Sequence, residues 1–314
     1  MDKMTITDVV SRLREHDDFI IITHIRPDGD TVGSGAALCN ALQKAGKRAY
    51  LYDNPQFPDC YPWLSDPFVA PQGYEPKFAV AVDLAEEKMF PKGFSGPVDL
   101  CIDHHPSNSH YAKETYLEPD KASCGEIVMK VVKELCGKLE KGLADQLYVA
   151  VSTDTGCFVY GNTTGDTLRA AAELCDAGAS NTVLNKILFR TSSKARLLLE
   201  SMIFSSLRYY HGGKTVFAIV TNDMLTKAGA TEKDCNDIAS LPGRVEGAAT
   251  SAVIKEVDAN HCKISLRTNG MVNANAVCKK FGGGGHAMAS GCSMDKSCEE
   301  AAAMLADAIA EVIE

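Results

Sequence analysis

Short apolar runs that stop abruptly at aspartate or histidine set the strongest limit on how this 314-residue chain can fold. Val98 to Ile102 has the β-branched and apolar character of a buried strand, and it ends in Asp103-His104-His105 before Pro106, Ser107 and Asn108 break the pattern. Phe19 to Thr23 leads straight into His24, Asp28 and Asp30, with Pro27 and Gly29 making the segment a loop. Phe78 to Val82 ends in Asp83, and Ala144 to Ser152, which reads as a helix or a helix running into a turn, opens onto Thr153-Asp154. Eight side chains able to ligate a metal are thus each expected in a loop just after an apolar run. Open α/β sheets gather their chemistry outside the carboxyl ends of their strands.

Between these runs lie segments of helical spacing. Gly33 to Gly46 has small residues first, apolar ones at helical intervals and a glycine stop, and Cys124 to Leu139 repeats the pattern. With Ala49 to Tyr52 as a further strand, the alternation predicts an α/β fold built on a parallel, doubly wound sheet. From Thr167 to Ser206 the pattern is helical throughout, with Arg190 to Lys194 as a polar hinge. Strands are expected again at 215–221, 248–256 and 262–267, closed by a helix beginning near Ser297, which makes a second, smaller α/β domain. The expected boundaries are 1–185 for the first domain, 186–211 for a helical linker and 212–314 for the second domain.

Composition excludes several classes. An apolar content of 45% with 23% charged residues is that of a soluble globular protein, and a formal charge of −9 rules out a generally basic surface for long double-stranded DNA. Twelve cysteines without a Cys-x-x-Cys point to reduced core thiols instead of a zinc ribbon. The first eighteen residues carry charges throughout and read as an amphipathic helix capped near Thr5 or Thr7, not as a signal segment. No apolar run approaches membrane-spanning length, so no membrane partner and a cytoplasmic location are expected.

Bringing several carboxylates together without cations is costly, because like charges repel and buried charges must be paired. Two divalent metal ions remove that penalty. Mixed imidazole and carboxylate donors favour Mn2+ over calcium or a pure magnesium site, with zinc, iron or cobalt as substitutes. An aspartate between two ions spaced roughly 3.5–4 Å apart would bridge them around a shared nucleophile. Each element also has an ordinary reading: Asp28 and Asp30 as a turn, Asp83 or Asp154 as helix caps, His104 and His105 as surface histidines.

These motifs resemble those of the DHH phosphoesterase superfamily, named for a triplet that stands here as Asp103-His104-His105. Its first motif, His-x-x-x-Asp-x-Asp, is matched by His24, Asp28 and Asp30, and its lone aspartates by Asp83 and Asp154. The resemblance implies that His24, Asp28 and Asp83 hold one metal, and that Asp30, Asp83, His104 and Asp154 hold the other. It further implies that Asp103 orients a histidine and that His105 faces the substrate phosphate or the departing oxygen.

Downstream, Phe281 is followed by four glycines and His286, with Arg267 upstream. Poly-glycine alone reads as a flexible joint, but here the amides of Gly283, Gly284 and Gly285 could form an anion nest beside Arg267 and His286. This segment resembles the DHHA1 substrate-binding domain, in which a GGGH motif and an upstream arginine bind phosphate. A chain of this size with these two domains resembles the NrnA-like group, which degrades very short RNA and removes the 3′-phosphate of adenosine 3′,5′-bisphosphate (pAp). The implied partners are short RNA or nucleotides such as pAp and pApA, and the resemblance leaves room for a homodimer. A phosphodiesterase acting on pApA or cyclic di-AMP is the alternative enzyme, and a nucleotide sensor without turnover is the alternative outside catalysis.

Overall fold

The computed structural model describes residues 4–58 and 60–313. They form two compact units, divided between Thr191 and Ser192. In the first, helix α1 (Ile6–Glu15) is started by a capping box in which Thr5 and Asp8 satisfy each other's backbone amides, and it buries Val9, Val10 and Leu13. Strand β1 (Phe19–Ile22), helix α2 (Gly29–Lys44), strand β2 (Ala49–Leu51) and the single turn α3 (Pro62–Ser65) follow. Strands β3 (Phe78–Val82), β4 (Leu100–Asp103) and β5 (Glu114–Leu117) complete a five-stranded parallel sheet in the order β2-β1-β3-β4-β5. Helices α4 (Cys124–Cys136), α5 (Lys141–Asp154), α6 (Gly165–Asp176) and α7 (Asn181–Phe189) end the unit.

The pleat sorts the apolar runs onto two faces. Phe19, Ile21, Val80, Val82, Leu100 and Ile102 pack with buried residues of α1, α2, α4 and α5. Ile20, Ile22, Ala79, Ala81 and Cys101 face the other way, where Tyr50, Tyr52, Tyr74, Phe90 and Phe94 cover them. Strand order reverses between β1 and β3, and the ends of these two strands carry His24 and Asp83. The first-motif loop and the lone aspartate therefore meet at the topological switch point, where such sheets bind their ligands.

In the second unit, α8 (Lys194–Ser205), β6 (Arg208–Tyr210), β7 (Thr215–Val220), α9 (Asn222–Ala228), β8 (Thr250–Asp258), β9 (His261–Thr268), α10 (Ala274–Lys279), β10 (Gly284–Gly285), β11 (Ala289–Met294) and α11 (Cys298–Ala310) build a six-stranded mixed sheet. Leu199 and Ile203 of α8 pack against Ala218, Val220 and Val253 on one face, so the stretch expected as linker contributes to this unit's core. Phe217, Ile219, Ile254, Ile264 and Leu266 pack on the other face with Val277, Leu305 and Ile309. Among the described residues no disulfide links the cysteines, and no helix is long and apolar enough to cross a membrane.

Three placements differ from expectation. Asp30 lies inside the first turn of α2, for which Asp28 is the N-cap, Asp103 is the last residue of β4, and Asp154 is the last residue of α5; none of the three sits in a loop. The run Leu143 to Ser152 belongs to α5, as the helical reading expects, and is buried on nearly all sides.

Candidate metal centre

Asp83 is the pivot of the site. It directly follows β3 in a left-handed conformation, φ 55°, which a non-glycine residue adopts at a cost and which is concentrated at functional positions. Its amide still donates to Ile102 O at 3.0 Å, so the turn is fixed to the neighbouring strand. The carboxylate then lies between two imidazoles: Oδ2 is 3.8 Å from His24 Nε2, and Oδ1 is 3.3 Å from His104 Nε2. Asp83 Oδ1 is sealed from solvent and receives no hydrogen bond. A buried carboxylate oxygen in that condition is expensive unless a cation meets it.

Both imidazoles are oriented for the same purpose. His24 Nδ1 meets Ile25 O at 2.9 Å, and His104 Nδ1 meets Lys121 O at 3.0 Å, so each ring donates there and turns Nε2 toward the carboxylates. Donor atoms within 4.8 Å of one another form three groups: His24 with Asp28 and Asp83, Asp30 with His104 and Asp154, and Asp83 with His104 and His105. All six expected ligands are thus gathered at one place, with Asp83 belonging to two of the groups.

Asp30 is held most firmly. Its oxygens accept from the amides of Cys124 at 2.7 Å and Gly125 at 2.9 Å, the first two residues of α4, and from Ser34 Oγ at 3.1 Å. The positive end of α4 thus stabilises a carboxylate lodged in the interior. Asp28 Oδ1 accepts from the amides of Asp30 and Thr31 at 3.1 and 3.2 Å, combining its cap role with a position 3.7 Å from His24 Nε2.

The electrostatics describe a cluster short of positive charge. Burial, followed by the charges of Asp83 and Asp154, pushes the Asp30 carboxyl well above its usual range. Burial also raises Asp83, and it raises Asp154 to about 6 although His104 opposes it. Burial alone would lower the two histidines, but the facing carboxylates outweigh it and lift His24 to about 9 and His104 to about 10. Retained protons are doing what a divalent cation does better, and the donor set fits such ions.

Asp103 stands apart from this cluster. Fully buried, its Oδ1 accepts from the amides of His104 and His105 and, at 2.8 Å, from His105 Nδ1. Its Oδ2 accepts from Asn108 Nδ2 at 2.6 Å. His105 is thereby fixed with Nε2 outward, and its proton affinity is raised by the Asp103 hydrogen bond in spite of burial.

In the second unit Arg267 lies on β9 opposite Ala289 and Ser251, and it makes no ion pair among the described residues. His286 is exposed and follows β10 directly. Two of the glycines between them, Gly283 and Gly285, are closely packed against β11, and Gly284 has room beside it. The Gly283 amide donates to Cys278 O and the His286 amide to Ala289 O, while Gly284 and Gly285 pair with β11. A Cβ on Gly283 would lie 2.2 Å from Gly291 O, and one on Gly285, at φ 143°, would lie 2.7 Å from Ala289 O.

With this geometry in hand, likeness to known proteins becomes informative. The profile of the DHH family, N-terminal domain, matches residues 18–151, and that of the DHHA1 domain matches residues 212–314. The bifunctional oligoribonuclease and PAP phosphatase NrnA of Thermus thermophilus is 34% identical, over 87% of this chain and 83% of its own. The chain belongs to the DHH family. The enzyme of the same name from Bacillus subtilis is 28% identical over 96% of both chains. The fold matches that of an exopolyphosphatase-related protein from Bacteroides fragilis, with TM-score 0.85 and 24% identity over 98% of this chain and 95% of the other.

Several residues that shape this DHH site were given no role in it by sequence reading. Asn108 holds Asp103, Ser34 and the start of α4 hold Asp30, and Asn54 donates to His24 O at 3.0 Å. Asn108 could have been found from its place three residues after the histidine pair, and the start of α4 from its Ser123 cap. Asn54 lies in a proline-rich connection with no such signal.

Proposed function

We propose that this protein is a metal-dependent phosphoesterase that hydrolyses short oligoribonucleotides to mononucleotides and removes the 3′-phosphate of pAp. The observation that carries the reading is Asp83, buried and without a hydrogen bond at Oδ1, placed between His24 and His104 as a bridge between two ligand groups. Relatives bearing the oligoribonuclease and PAP phosphatase name, aligned over most of their length, support the substrate class.

His24, Asp28 and Asp83 would hold one ion, and Asp30, Asp83, His104 and Asp154 the other, with manganese preferred for its tolerance of imidazole. When bound, such ions supply charge neutralisation for the phosphoryl oxygens and acidification of a water nucleophile. His105, oriented by Asp103, faces the phosphate and delivers a proton to the departing oxygen. Arg267 and His286 contribute charge-assisted hydrogen bonds to a substrate phosphate.

The test is a panel of pAp, pApA, cyclic di-AMP and RNAs of two to twenty nucleotides, assayed with Mn2+. Release of phosphate from pAp and of mononucleotides from the shortest RNAs is expected, with activity falling as length grows. Preference for cyclic di-AMP or pApA would replace this reading with the phosphodiesterase one. Binding without turnover of any member would replace it with the sensor.

A further inference from the structure

The loop that leaves Asp154 carries two apolar side chains in the open: Val159 is 80% exposed and Tyr160 56% exposed. Burial would have been the ordinary fate of both, and the fold exposes them where it brings its ligands to the surface. Asp28, His105 and Asp154 have side chains 62%, 37% and 29% exposed, whereas Asp30, Asp83 and Asp103 are closed off. Asp154 therefore belongs to the mouth of the centre, and the Tyr160 loop starts from that mouth.

The tyrosine is also fixed in place. A Cβ on Gly156 would lie 2.4 Å from Tyr160 Cζ and 2.5 Å from Cε1, so the ring lies flat on the Gly156 backbone. Gly156, Cys157 and Phe158 are left-handed in succession, which folds the loop back on itself. The amides of Val159 and Tyr160 both donate to Thr155 O, at 2.9 and 3.0 Å. Asn162 Nδ2 donates at 3.1 Å to the carbonyls of Asp154 and Ala122, so loop and ligand share one anchor. Two residues of chain span at most about 7 Å, so the Gly156 backbone that carries the ring stands within roughly that reach of the Asp154 backbone. One face is covered by Gly156, and more than half of the residue's surface is open.

We propose that Tyr160, flanked by Val159, is the stacking platform for a nucleobase of the substrate whose phosphate sits at the metal centre. The inference rests on the nucleotide reading above and deepens it, assigning a base subsite to the first unit alone. A pinned aromatic ring loses little freedom on binding and accepts any base through its π-face. The platform thus favours nucleotides over other phosphate esters without selecting a sequence.

The experiment compares pAp with the same ribose 3′,5′-bisphosphate lacking its base, using wild type, Tyr160→Ala and Tyr160→Phe with Mn2+. Wild type should favour the base-bearing substrate by about ten- to a hundred-fold in kcat/KM, the usual worth of one base–aromatic stack. In Tyr160→Ala that ratio should collapse toward one, mostly through KM, and in Tyr160→Phe it should persist. A ratio unaltered in Tyr160→Ala, or equal losses on both substrates, overturns the platform while leaving the nucleotide reading intact. A wild-type ratio near one overturns the platform without any variant. Failure of wild type to hydrolyse either compound overturns the nucleotide reading, and the platform with it.

Discussion

Replacing Gly33 by alanine tests whether the close approach of α2 and α5 sets the position of the ligands they carry. Gly33 lies in the second turn of α2, and a Cβ there would be 2.5 Å from Gln146 O, 2.9 Å from Ala150 N and 3.0 Å from Ala150 Cβ. Two of these are backbone atoms of α5, so the methyl can be accommodated only by moving the helix. On propensity alone, Gly→Ala inside a helix stabilises by about 1 kcal/mol. Overpacking typically costs about 1–3 kcal/mol, and rigid backbone contacts argue for the upper end, leaving a net loss of about 2 kcal/mol. For a domain of this size that is a fall in Tm of roughly 4–8 °C. Gly142 in α5 is the control, since its Cβ would meet only Asn40 Nδ2 at 3.7 Å, and Gly142→Ala should gain up to about 1 kcal/mol. Urea denaturation of the chelated proteins gives both signs. Because α2 carries Asp30 and α5 carries Asp154, titration should also show weaker Mn2+ binding in Gly33→Ala. If both alanine variants were stabilised alike, the helices would not be in the contact on which this reasoning depends.

Other outcomes follow from the same geometry. Chelation should abolish turnover, and Mn2+ should restore it more fully than Mg2+ because imidazoles are among the donors; full activity in EDTA would refute the metal mechanism. Asp83→Ala should remove turnover while keeping the circular dichroism and cooperative unfolding of the parent, and wild-type rates in that variant would mean that another carboxylate is the bridge. Asn108→Ala leaves Asp103 Oδ2 buried without its 2.6 Å donor, so kcat should fall about tenfold or more with KM little changed; an unchanged kcat would detach Asn108 from His105. Arg267→Ala should cost about ten- to a hundred-fold in kcat/KM on pAp and far less on bis-p-nitrophenyl phosphate, and equal losses on the two would reassign Arg267 to the catalytic centre or to the fold.

Much of the first unit was legible because strands buried on both faces read as unbroken apolar runs, as FIII, FAVAV and LCID do. Strand β5, ETYL, escaped notice because it is an edge strand and only Tyr116 is buried. Strand β11, ASGCSM, has too little apolar character to announce itself and is defined by its pairing with Arg267 to Cys262 of β9. The glycine run shows a different limit. Glycine is required both where amides must reach a ligand and where two backbones must nearly touch, and only the 2.2 Å at which a Cβ on Gly283 would meet Gly291 O reveals the second use.

Most of the candidate cluster was legible for a related reason: strand-end carboxylates and imidazoles are conspicuous against apolar sequence, while what supports them is backbone. Asp30 depends on the amides of Cys124 and Gly125, ninety-four and ninety-five residues away, and His104 depends on the carbonyl of Lys121. No side-chain pattern encodes those partners, since any residue supplies an amide or a carbonyl. They arise when α4 packs its first turn over α2, beside the close α2–α5 contact at Gly33. Ligand identity is thus written in the chemistry of a few residues, and ligand geometry in the small residues that let the three helices meet. A substitution among those small residues, remote from any donor atom, should loosen the centre before it unfolds the domain.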